Sequence, residues 1–144
     1  ACKAIVEIRR ERMMLSSVHP ATGDLIVADL ELVDSFKRVH RASGEISDLQ
    51  VPREDGHGNM LNVFFTGKDD EKIIVVQGGE EEDGEIRLER VSSAGEVVDT
   101  VELPSEVDGY TVQLHPVHGV LFNSDTAIYV WPLCAANQGL VLLA

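Results

Sequence analysis

Apolar residues in this chain fall into short runs separated by polar turns. LIVAD (25–29), MLNVFF (60–65), KIIVVQ (72–77) and IYVW (128–131) are rich in β-branched and aromatic side chains. Runs of that length and composition predict strands rather than helices. IRLERVSSAGEVVDTVEL (86–103) alternates apolar and polar positions on both sides of Ser-Ala-Gly, which predicts a hairpin. A second hairpin turn is predicted at Ala42–Gly44, with strands on either side. Alternation across Phe36–Arg41 is imperfect, so a helix stays open there. KAIVEI (3–8) fits an edge strand or the opening of a brief helix, and MML (13–15) is expected to pack. PREDGHGN (52–59) and EEEDGE (80–85) read as loops, and the apolar tail QGLVLLA (138–144) is expected to pack or pair.

About ten short strands in 144 residues predict an all-β fold of antiparallel sheets, organised as one domain over 1–144. Two stretches also resemble each other: HPATGDLIVAD (19–29) and HPVHGVLFNSD (115–125) share His, Pro, Gly, Leu and a closing Asp at matching offsets. Pro fixes the approach to a turn, and Gly takes a backbone conformation closed to other residues. The pattern therefore predicts the same turn-then-strand conformation twice, with Leu25 and Leu121 facing the core. The terminal Asp is expected to accept backbone N–H groups where the strand ends.

Ser17–Leu49 resembles one blade of the NHL, SMP-30-like class of β-propellers. His19, Pro20, Gly23, Leu25, Val27, Ala28, Asp29, Val39, Arg41 and Gly44 fall where that blade pattern places them. The second copy departs from it, with Asn123 and Ser124 in place of Val27 and Ala28. The resemblance implies propeller-like blades. A blade takes about 40–50 residues, and a closed propeller usually needs four or more. Three blades would be completed by oligomerisation or by another polypeptide. A β-sandwich or barrel is the alternative, and a mixed α/β arrangement a further one. In hydrolases of this class acidic and Asn side chains hold a metal at the propeller's centre, and Asp29 and Asp125 are the nearest counterparts here.

Charge narrows the partners. The net charge is −13, nearly all of it beyond residue 50, where 5 basic residues face 17 acidic ones. Such a field repels nucleic acid and anionic lipid. Aromatic residues, at 5%, are too few for a base-stacking platform. No apolar run reaches the roughly 20 residues that span a bilayer. Cys2 and Cys134 lack metal or redox spacing and fit a reducing, cytoplasmic setting. Arg9, Arg10 and Arg12 concentrate positive charge that could meet an acidic partner or the 80–85 loop of another copy.

Catalytic motifs are absent: there is no GxSxG elbow, no GxxxxGK[ST] and no GxGxxG. The 80–85 loop lacks the alternating acidic order of a calcium loop. His115-x-x-His118 has the spacing of one helix face. Two functions follow as expectations. The first is a non-catalytic protein–protein interaction or assembly module that meets a protein partner or its own copies, without cofactor, nucleic acid or membrane. The second is a metal-dependent hydrolase or lactonase of propeller type, with Ca or Zn held by His19, Asp29, His115 and Asp125.

Overall fold

The computed structural model describes residues 13–29, 35–49, 51, 59–78, 85–107, 111–115, 118–133 and 141–142. KAIVEI, Arg9–Arg12, Cys2, Cys134 and most of the 52–59 and 80–85 loops lie outside them. Among the described residues twelve strands run in order: β1 Met13–Val18, β2 Leu25–Asp29, β3 Phe36–Val39, β4 Ile46–Asp48, β5 Asn59–Phe65, β6 Lys72–Gln77, β7 Ile86–Val91, β8 Val97–Glu102, β9 Gln113–His115, β10 Gly119–Asn123, β11 Ile128–Trp131 and β12 Val141–Leu142. They form three four-stranded antiparallel sheets, β1–β4, β5–β8 and β9–β12, in each of which every strand pairs with its neighbours in sequence. The fold is thus all-β and antiparallel, and the tail pairs through β12 with β11. Phe36–Val39 is strand rather than helix, since Val39, Arg38 and Lys37 sit in ladder register with β2 and β4. The second strands of the three sheets begin at Leu25, Lys72 and Gly119, 47 residues apart each time.

The centre of the middle sheet, strand β6, is buried on both sides. Along β6, Ile73 and Val75 join Phe64 and Leu88 in a cluster with Val120, Phe122 and Trp131 of the third sheet. Ile74 and Val76 point the other way, as alternate residues of a strand must. On that side Val63 and Phe65 of β5 pack with Ile26, Ala28 and Phe36 of the first sheet. A run such as KIIVVQ, apolar at both parities, is what a doubly covered strand requires. Each fully buried Ile or Val contributes about 1.5–3 kcal/mol.

The first sheet also meets the middle one edge to edge. β1 carries a bulge between Leu15 and Ser17, and β5 one between Met60 and Asn62. At this seam Ser17 Oγ donates to Val63 O at 2.6 Å, and Val63 N donates to Ser16 Oγ at 3.3 Å. Ser16 also hydrogen-bonds Asn62. Side chains rather than a backbone ladder join the two strands. Of MML, expected to pack, Met13 is half-buried, whereas Leu15 and Met14 are 59% and 43% exposed. Leu25 and Leu121 are half-buried, and the core positions are their neighbours Ile26, Val120 and Phe122. Among the described residues no helix is long and apolar enough to cross a membrane.

Candidate functional site

The repeated His motif builds turns. His19 N donates to Asp24 O at 2.8 Å and Gly23 N to His19 O at 2.9 Å, closing the β1–β2 hairpin. Gly23 has φ +74°, the left-handed region that favours glycine. The His19 ring is buried against Phe65, with ring centroids 4.5 Å apart. Its Nδ1 accepts from the amides of Ala21 and Thr22 at 3.1 and 3.3 Å. Nδ1 is therefore occupied, and burial and the nearby Arg38 push the imidazole below its ordinary pKa. In the second motif His115 Nδ1 accepts from His118 N at 3.2 Å. The spacing of His115 and His118 marks a hairpin turn here, not a helix face.

Within each motif the His and the Asp expected to share a metal stand at opposite ends of a strand. His19 precedes β2 and Asp29 ends it, and the intervening strand is about 13 Å long at 3.3 Å per residue. His115 and Asp125 likewise flank β10. Asp29 is half-exposed, with its amide donating to Ser35 O at 3.0 Å. Asp125 is exposed in the β10–β11 turn, where the buried Ser124, not the Asp, caps the strand: its Oγ accepts from Thr126 N and Ala127 N at 3.3 and 3.1 Å. Among the described residues no group of three or more His, Cys, Asp or Glu side chains could hold a metal ion.

A different cluster lies between the first two sheets. Asp24 is buried; its Oδ2 takes Nε and Nη2 of Arg38, each at 2.8 Å, and its Oδ1 takes Arg41 N at 2.9 Å. The Arg41 amide, together with Arg38 and Thr22, holds this carboxyl down at a pKa of about 2 against the cost of burial. Arg38 also stands 5.2 Å from the centre of the Phe65 ring, and Lys72 Nζ stands 5.1 Å from it. Lys72 Nζ donates to Asp70 O at 2.9 Å, and burial lowers its pKa. The middle sheet repeats the device: Glu71 precedes β6 as Asp24 precedes β2, and Arg90 reaches it at 3.1 Å. Arg38 and Arg90 stand opposite the second residues of β2 and β6, Ile26 and Ile73. In the third sheet the residue at that place, opposite Val120, is Trp131. These acid–arginine pairs escape a sequence search because their spacings, 24 to 38 and 71 to 90, differ with the loops between second and third strands.

The first strands of the three sheets converge on an open groove of about 620 Å³. Met14, Leu15 and Val18 line it from β1, Phe64 from β5, and Val112 and Leu114 from beside and within β9. No described residue lining it carries a charge, although 26% of the chain is charged. Its hydroxyls are engaged internally: Ser17 with Val63 O, and Thr66 Oγ1 with Glu71 Oε1 at 3.0 Å. This groove can bury apolar surface; the acid–arginine clusters, whose charges satisfy one another, fix the turns that frame it.

Compared with family models, curated proteins and solved structures, the chain matches none of them. The class defined here is therefore architectural: an all-β protein of three four-stranded antiparallel meanders.

Proposed function

We propose that this chain is a non-catalytic module of protein–protein interaction or assembly, its sheets acting as propeller-like blades completed by a second copy or another polypeptide. The observation that carries this reading is one-sided packing. The middle sheet has a partner sheet on each face, whereas the first and third sheets each have one, and no buried cluster among the described residues joins those two. Blade-like units bury their faces only by stacking on neighbours. Exposed apolar side chains on the middle and third sheets, Val97, Val98 and Ile128, add surface that a partner would cover.

Sedimentation across a dilution series tests the proposal. The expected result is a mass above that of one chain that falls on dilution, or retention of a partner from the native source. A strict monomer at every concentration, with no partner retained, overturns it.

A further inference from the structure

We propose that the groove between β1, β5 and β9 is a binding site for an uncharged, apolar small molecule. Its volume, about 620 Å³, falls within the roughly 300–1,000 Å³ typical of ligand pockets. Its walls come from three different sheets, so a ligand there contacts all three at once. Leu15 and Val18 are 59% and 52% exposed, an apolar wall left in water in the ligand-free chain. Covering such side chains contributes about 25 cal/mol per Å².

Charge complementarity selects the ligand class. None of the described lining residues is ionised, in a chain of net charge −13. Among the described lining residues an anion would find no cation, and it would approach against the field of the whole chain. A cation would find no carboxylate among those residues, and desolvating it unpaired is costly. The polar atoms at the back of the groove already have partners: Asn62 Oδ1 accepts from Val63 N at 2.9 Å, and Ser16 and Ser17 are tied to β5. A neutral hydrocarbon or aromatic body leaves no charge unpaired on entering such a lining. This inference stands apart from the assembly reading, because it concerns the shared wall of three sheets within one chain rather than their open faces.

The test uses N-phenyl-1-naphthylamine, an uncharged naphthylamine that brightens in apolar surroundings, and its sulfonated counterpart 1-anilinonaphthalene-8-sulfonate. The full chain is compared with Leu15→Glu, which places a charge in the groove at an exposed position, and with Ile128→Glu, another exposed apolar position, outside this groove. The expected result is saturable binding of the neutral probe at one site per chain, at least tenfold weakening in Leu15→Glu, and no change in Ile128→Glu. The sulfonate is expected to bind at least tenfold more weakly than the neutral probe. Unsaturable binding, equal binding by Leu15→Glu, or a preference for the sulfonate overturns the proposal. Sedimentation of the same samples separates the remaining occupant: a dimer that Leu15→Glu dissociates assigns the groove to a second copy and also overturns it.

Discussion

Two hairpin turns of the first sheet share both sequence and geometry and differ in almost everything else. HPATGD (19–24) joins β1 to β2, and HRASGE (40–45) joins β3 to β4. In each the His amide donates to the carbonyl of the closing acid, at 2.8 Å both times, and the Gly amide donates to the His carbonyl. In each the acid's own amide donates to the Thr22 or Ser43 hydroxyl at 3.2 Å. Both glycines have φ near +70°. Yet His19 and Asp24 are buried against the middle sheet, while the His40 side chain is 39% exposed and Glu45 lies in water. The local pattern dictates the turn, and position beside the middle sheet turns one of the two acids into a buried, doubly anchored carboxylate.

The largest effect is expected outside that pair, where a third His-to-Gly step, HPVHG, departs from it. A Cβ on Gly119 would stand 2.3 Å from Trp131 O, at φ +102°, against backbone that cannot swing aside. Gly119→Ala should cost about 3 kcal/mol or more, an overpacking cost added to the strain of positive φ. Urea unfolding measures it, and a loss near 1 kcal/mol would place Gly119 with the other two turns.

Removing the acid should separate the twin turns next. Asp24→Ala strips the partner from Arg38 and is expected to cost about 3 kcal/mol, as for a buried ion pair broken on one side. Glu45→Ala should fall within about 0.5 kcal/mol of the parent. Equal losses at the two sites would mean that the turn, not the burial, makes Asp24 matter.

Replacing the turn glycines sharpens the comparison from the other direction. Gly44→Ala meets open space and should cost about 1 kcal/mol from positive φ alone. Gly23→Ala carries the same strain and also presses Arg41 Cδ at 3.0 Å, so it should exceed Gly44→Ala by a few tenths of a kcal/mol. Thermal midpoints of the two variants, measured side by side, rank them.

Acid titration should show the smallest and most diagnostic difference. Asp24 is depressed to about 2 in the folded protein, so its stabilising contribution is complete above the unfolded carboxyl pKa, about 3.9, and is lost as pH falls through about 2. His19 is also lowered, so the unfolded chain binds its proton more readily and stability declines as pH falls below about 6.5. Asp24→Asn should flatten the lower limb of stability against pH, and His19→Asn the upper.

Strand positions were legible because each run sits between turn residues that leave the chain little choice. Ala42–Gly44 and Ser93–Gly95 are turns where Gly and small polar residues predicted them. The kinship of HPATGD with HRASGE is present in the sequence beside the more conspicuous match to HPVHG. That match shares residues, yet its hairpin is tighter, with Gly119 already paired to His115 in the ladder. Illegible altogether were the partners of Asp24. Arg38 lies 14 positions away, and only the β2–β3 register brings it opposite Ile26 and beside the acid. The uncharged groove was hidden for the same reason, since its walls come from strands about 50 residues apart.

Among the described residues every ladder joins strands adjacent in sequence. The consequence is kinetic. Chains dominated by local pairing close small loops and fold quickly, whereas most all-β domains wait on distant strands to meet. Each meander here can zip from its own hairpins, which form in about 1–10 μs. The contacts that remain for the slow step are those between sheets: the Ser16–Ser17 stitches to β5, the Phe65 ring between Arg38 and Lys72, and the reach of Arg90 to Leu133 O. Substitutions within a hairpin should therefore act chiefly on the folding rate, and substitutions at these seams chiefly on how fast the finished protein comes apart.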